Sequence, residues 1–244
     1  MTQSTTAPAP VDLLVFGPHP DDIEIGLGGT VAKHVALGHR VGLCDLTAGE
    51  MGSNGNVEER IAEGEAACAV LGASWRVNLR WPDRGYSLAP EYVRSAASLI
   101  RQARPASIAI PYWSDRHPDH VTASQVLTEA AFNAGLRRYD ADGDPFRPEW
   151  VCYYFINDQA PPSFVVDVSD HYETKRRALA CYASQFTPTG SGAVQTRLTS
   201  NLFRRLIESR DQQFGALAGV AWAEGIVVRQ PVLRPHLLKD TTRA

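Results

Sequence analysis

Cysteine is scarce in this chain, with four in 244 residues. Cys44, Cys68, Cys152 and Cys181 stand far apart and none forms a C-x-x-C pair, so neither a disulfide framework nor a cysteine-based zinc knuckle is encoded. Each lies in an apolar stretch, and buried reduced thiols are expected. An excess of one charge is equally lacking. The formal net charge is −3 without a long run of either sign, which excludes a basic nucleic-acid groove. Small basic clusters at Arg137–Arg138 and Lys175–Arg177 have acidic neighbours and read as solvated helix faces. No apolar run reaches the length of a membrane span. Met1–Pro10 is rich in Thr, Ala and Pro but lacks the basic flank and apolar core of a signal peptide, and reads as a loose tail. Beyond it there is no repeat or low-complexity tract. The expectation is a cytoplasmic protein with no nucleic-acid and no membrane partner.

What is present is an ordinary globular composition, 44% hydrophobic and 21% charged, in a chain long enough to bury its own core. The first half alternates short apolar runs with helix-period segments. Val11–Gly17, Val41–Leu46, Trp75–Leu79 and Ala106–Tyr112 read as strands. Between and after them, helices are predicted over Gly26–Leu37, from an Asn56 cap to Leu71 with Glu59 completing a capping box, over Glu91–Ala103, and from an Asp119 cap to about Asn133. This alternation predicts an α/β fold: a Rossmann-like, doubly wound, mostly parallel sheet with helices on both faces, its first strands in the order 3-2-1-4. The second half is less regular and is expected to form an irregular α/β C-terminal extension. Strands are predicted at Val151–Ile156, Phe164–Val168 and Trp222–Arg229, and helices from a Ser169 cap to Ala183 and over Ala193–Ser209. A single domain over 11–244 is expected after the tail at 1–10, with a Rossmann-like half at 11–135 and a C-terminal half at 136–244.

Ligands of such sheets bind beyond the carboxyl ends of the strands, where strand order reverses. That rule singles out the loops after strands one and four before any motif is considered. They read His19-Pro20-Asp21-Asp22 and His117-Pro118-Asp119-His120, and hold three of the seven histidines. One His-Pro-Asp alone is readily a rigid turn followed by a helix cap. Two copies on adjacent strand ends point to chemistry. Two imidazoles, a carboxylate and water satisfy a catalytic zinc site with an open position. A second carboxylate beside the first can take a proton from water and return it to a leaving amine. A further imidazole, held cationic by a carboxylate, can stabilise an oxyanion. Spacing does not say which Asp is which, nor which of His117 and His120 binds metal.

The two motifs, with Gly28-Gly29 opening the following helix, resemble the LmbE/PIG-L family of zinc-dependent N-acetylglucosaminyl deacetylases. The resemblance implies His19, Asp22 and His120 as ligands of one zinc ion, Asp21 as general base and acid, and His117 facing the oxyanion, oriented by Asp119. It runs from Val11 to about Gln230. Thr47–Gly55 with Glu59-Arg60, Asp115-Arg116, Cys181–Phe186 and the stretch from Arg210 to Gly225 are similar to the branch that deacetylates in bacillithiol biosynthesis. Other branches carry a tyrosine where Asp115 stands. The implied activity is hydrolysis of the acetamide of N-acetylglucosaminyl malate to the free amine and acetate. Glu50, Ser53, Arg60, Arg116 and Gln185 are then candidate substrate contacts, the arginines because guanidinium binds carboxylate bidentately. For Arg60 the competing expectation is an ion pair with Glu63 on its own helix. A homo-oligomer, trimer or hexamer, is also implied.

Gly26-Leu27-Gly28-Gly29 does not fit a dinucleotide fingerprint, since Val31 stands where the last glycine belongs; close helix packing accounts for these glycines. Tyr112 and Trp113 suit either sugar stacking or packing on the second half. His34, His39, His171 and His236 have no partner motif and read as surface or cap residues. Two rival functions remain: a metal-dependent phosphoesterase, which commonly uses two metals, and a non-catalytic sugar-binding module.

Overall fold

The computed structural model describes residues 8–189, 191–233 and 235–236. Most of the predicted loose tail, 1–7, lies outside the described residues; Ala9 is already tied down, its carbonyl accepting from Trp75 Nε1. Leu13–Gly17 (β1) is entirely buried and pairs in parallel with Val41–Thr47 (β2) and Ser107–Pro111 (β4). Trp75–Trp81 (β3) pairs with β2, and Trp150–Tyr154 (β5) with β4, also in parallel. Phe164–Asp167 (β6) and Ala223–Val227 (β7) complete a seven-stranded sheet of order β3-β2-β1-β4-β5-β7-β6. Its first four strands have the predicted order. β7 runs antiparallel to both of its neighbours, β5 and β6.

Successive side chains of a strand face opposite sides, and β1 divides its residues accordingly. Leu14 and Phe16 join a core with helices Pro90–Ala103 (α3) and Pro118–Ala134 (α4). Leu13 and Val15 join another with Asp22–Ala36 (α1) and Val57–Leu71 (α2). Both faces are therefore covered, as a buried parallel sheet requires. Tyr172–Ala180 (α5), the single turn Ala183–Phe186 (α6) and Asn201–Ala218 (α7) belong to the second half.

Several boundaries differ from the sequence reading. Asn56 caps α2 by accepting from Glu59 N, as predicted. α4, however, is capped by His117 rather than Asp119, with the ring accepting from Asp119 N. α1 begins at Asp22, not Gly26, and its backbone is non-helical at Leu27 (φ −135°, ψ 16°). Ser169 sits in a 3-10 turn and caps nothing. α7 starts at Asn201, capped by Ser200, instead of at Ala193. There the cause is tertiary: Asn54 pairs with Val194 through Nδ2→O and N→Oδ1 bonds of 2.9 and 2.8 Å, holding that segment out of the helix. The four thiols are free, Cys44 and Cys68 buried but Cys152 and Cys181 only partly so. No helix among the described residues is long and apolar enough to cross a membrane.

Candidate active site

The carboxyl ends of β1 and β4 lie side by side, and the two His-Pro-Asp turns meet above them. His19 Nδ1 lies 3.0 Å from Asp22 Oδ2, and His120 Nε2 lies 3.3 Å from the same oxygen. Donor atoms of His19, Asp22 and His120 fall within 4.8 Å of one another, and all three residues are buried. A second group, His19, His117 and Asp119, meets the same distance criterion. The turns open into a cleft of roughly 470 Å³, lined by both motifs and by side chains from the loops after β2, β3, β4 and β5 and the segment before α7.

The surroundings tell the two groups apart. Asp115 Oδ1 sits 3.1 Å from His120 Nδ1 and is itself held by His117 N, Asn157 N and Asn157 Nδ2. A carboxylate behind a ligating imidazole fixes the tautomer and raises ligand basicity. Although burial opposes it, Asp22 and Asp115 hold His120 up to about 9. Carboxylates that draw this much positive charge suit a divalent cation, and N and O donors in this number suit zinc. In the second group, Asp119 is committed elsewhere: Arg84 contacts both of its oxygens, through the backbone N–H and the guanidinium. His117 Nδ1 accepts Asp119 N at 3.2 Å. This corrects one expectation, because the backbone N–H of Asp119 touches the His117 ring while its carboxylate faces Arg84 and, at 3.4 Å, His19 Nε2. Burial, then the neighbouring His120 and His19, push His117 below its ordinary range. With Nδ1 accepting, a neutral His117 carries its proton on Nε2.

Asp21 is held in a strained conformation. Its φ of 110° lies in a region that side chains disfavour, at a cost on the order of 1–3 kcal/mol. It stands at the N-cap of α1 yet makes no capping bond with its side chain. Arg60 holds the turn in place: Nη1 donates to Gly49 O (3.1 Å) and Nη2 to Pro20 O (2.6 Å) and Asp21 Oδ2 (3.2 Å). Burial pushes the Asp21 carboxyl up to about 7, against the pull of Arg60.

The other candidates divide. Ser53, Arg116 and Gln185 line the cleft. Gln185 Nε2 also donates to Asn54 O and Ser184 Oγ. Arg60 lines it too, but its guanidinium is spent on the Asp21 turn, and Glu63 takes Ser184 N and Oγ instead. Glu50 is not a cleft residue: it accepts Asp83 N at 2.7 Å and braces the neighbouring turn. Tyr112 and Trp113 pack against Phe155 and Tyr153 of the second half and do not line the cleft. Sequence reasoning missed Asp83, 3.3 Å from His19 Nε2, and with it Arg84, Asn157 and Arg197. Pro82-Asp83 directly follows β3 and Asn157 lies three residues past the end of β5, and the carboxyl-end rule applied to those strands would have marked them.

A family model described as PIG-L, GlcNAc-PI de-N-acetylase, matches residues 14–131. The chain is 30% identical over 229 residues to the diacetylchitobiose deacetylase of Thermococcus kodakarensis, covering 88% of this chain and 81% of that one. It is 28% identical over 250 residues to a 1D-myo-inositol 2-acetamido-2-deoxy-alpha-D-glucopyranoside deacetylase of Catenulispora acidiphila, covering 75% and 82%. Among solved structures, the conserved protein TT1542 of Thermus thermophilus superposes with a TM-score of 0.86 at 38% identity, covering 96% of this chain and 100% of that one.

Proposed function

The chain belongs to the LmbE/PIG-L family of N-acetylglucosaminyl deacetylases, and from that premise we propose that it is a zinc-dependent hydrolase of N-acetylglucosaminyl malate. One observation carries the proposal: His19, Asp22 and His120 converge at the ends of β1 and β4, with Asp21 beside them. In this reading His19, Asp22 and His120 hold one zinc ion. When bound, the ion lowers the proton affinity of an adjacent water and polarises the acetamide carbonyl.

The chain's own residues do the rest. Asp21 takes the proton as water adds to the acyl carbon, and delivers it to the sugar nitrogen as the C–N bond breaks, leaving acetate and the free amine. Arg60 fixes Oδ2, and Oδ1 makes no hydrogen bond among the described residues, which suits a base whose other oxygen faces the reactant. His117 donates from Nε2 to the developing oxyanion. Asp115 and Asn157 orient His120, and Asp83 flanks His19.

For the anionic aglycone, Arg116 and Arg197 line the cleft on loops from the two halves of the chain, without a carboxylate partner among the described residues. The cleft's other arginines, Arg60 and Arg84, are occupied by Asp21 and Asp119. Acetate release from N-acetylglucosaminyl malate, with and without chelator, tests the reading against a neutral inositol glycoside and free N-acetylglucosamine. Preference for the malate conjugate and loss on chelation are expected. Equal rates on all three remove the malate assignment, and chelator-insensitive turnover removes the metal.

The second donor group, His19, His117 and Asp119, is the one feature that favours a two-metal phosphoesterase. Zinc content near two per chain would support it, and one per chain the deacetylase. The compartment we assign is the cytoplasm, on the composition of the chain.

A further inference from the structure

α1 carries Asp22 in its first turn and then breaks at Leu27. In an uninterrupted helix the N–H of residue 29 pairs with the C=O of residue 25. Here Gly29 N donates to Glu224 Oε1 at 3.0 Å, and Ile25 O accepts from Arg210 Nη2 at 2.7 Å. Thr30 N donates to the other Glu224 oxygen at 2.7 Å. Both sides of one helical rung are thus met by side chains from the far end of the sequence, Glu224 on β7 and Arg210 on α7.

These two residues close a ring. Lys175 Nζ donates to Glu224 Oε1 and to Asp211 Oδ2, each at 2.6 Å, and Arg210 Nε donates to Asp211 Oδ1 at 2.9 Å. The four charges sum to zero, and all four residues are buried. Apolar packing is often at least as stable as such a buried ionic cluster, so stability alone does not account for it. Arg210 also reaches the opposite wall of the site. Its Nη1 donates to Phe155 O (3.1 Å) and Ile156 O (2.8 Å). The next residue, Asn157, holds Asp115, the carboxylate behind His120. One guanidinium therefore ties the turn bearing Asp22 to the loop that orients His120.

We propose that Arg210 and Glu224 are positioning residues for the metal centre: the ring sets the break in α1 and, through it, the placement of Asp22 against His120. The proposal rests on the metal-centre reading above. The glycines agree with it, since the break lets α1 pass where side chains do not fit. A Cβ at Gly26 would meet the Tyr154 ring at 2.2 Å, and one at Gly28 would press on Lys175 of the ring itself at 3.0 Å.

The test titrates metal-free protein with Zn²⁺ against a chromophoric chelator, below the apo Tm of each variant. Arg210→Lys keeps the charge and loses the fork; Glu224→Gln keeps the shape and loses the charge. Each is expected to weaken zinc binding by about 10–100-fold, the scale for residues that orient metal ligands, with little change in substrate KM. A purely structural role lowers the apo Tm and leaves the zinc dissociation constant of the folded protein alone, and that result overturns the proposal. The pair Lys175→Met with Glu224→Gln, which keeps the ring neutral, guards against a single variant that does not fold; the same weakening is expected of it, and unchanged zinc affinity sinks the idea. Wild-type protein that takes up no zinc overturns the metal-centre reading itself, a separable outcome.

Discussion

At the end of β1, His-Pro-Asp leaves its aspartate at a strained φ of 110°, buried and outside the helix it precedes. At the end of β4, the same three residues make the histidine the helix cap and place the aspartate inside the first turn, joined to Arg84. In the reaction proposed above the first turn supplies its Asp as the base and its His as a ligand, whereas the second presents its His to the reacting group and keeps its Asp as scaffolding. Identical residues thus take opposite roles because their neighbours differ. Arg60 holds Asp21 out of the cap, while the open N-terminus of α4 takes His117 Nδ1 as an acceptor.

Exchanging the consequences of the two turns is the strongest way to break this contrast. His19→Ala should lose both zinc and turnover, whereas His117→Ala should keep its zinc; metal analysis of the purified variants reads this directly. Asp21→Asn comes next. It should lower kcat by about 10²–10⁴, the range for a lost general base, while zinc content stays at wild type, and asparagine tolerates the positive φ. Zinc lost with Asp21→Asn would mean that the two aspartates of the first turn have been assigned the wrong way round. For His117→Ala, kcat should fall by about 10²–10³ with KM nearly unchanged, and an unaltered kcat would take the ring out of the reaction. Asp119→Asn should cost less than His117→Ala in the same assay, since its carboxylate does not touch the His117 ring; an equal loss would restore the carboxylate as the orienting group. Smallest of all is Arg116→Ala, which should raise KM for the malate conjugate alone, by a factor corresponding to about 1.5–3 kcal/mol for a charged hydrogen bond.

How much of this the sequence discloses depends on distance along the chain. Periodicity gives the four β-α units and their order, because each strand and helix is a local pattern and right-handed crossovers leave few arrangements. The convergence of the two turns follows from that order. The reading from sequence starts α1 at Gly26 and so misses its first turn, Asp22–Ile25, because the break at Leu27 that separates the two parts is met by Arg210 and Glu224, more than a hundred residues away. The placement of β7 between β5 and β6 is equally out of reach, since an antiparallel insertion has no short-range signature. Arg60 is expected to meet substrate, and its sequence neighbours give no sign that Gly49, Pro20 and Asp21 claim its guanidinium. Asp83 and Asn157 are single polar residues in short loops, and a lone polar residue carries no pattern until the sheet assembles around it.

β7 is paired along both sides although it lies close to the end of the sequence. Until residues 223–227 leave the ribosome, β5 has only β4 beside it and β6 has no strand to pair with. An unpaired edge is a template for joining another chain, and β7 covers the open side of β5, leaving β3 and β6 as the edges of the sheet. Because Glu224 rides on that strand, the backbone N–H groups of Gly29 and Thr30 gain their acceptor only once β7 is in place.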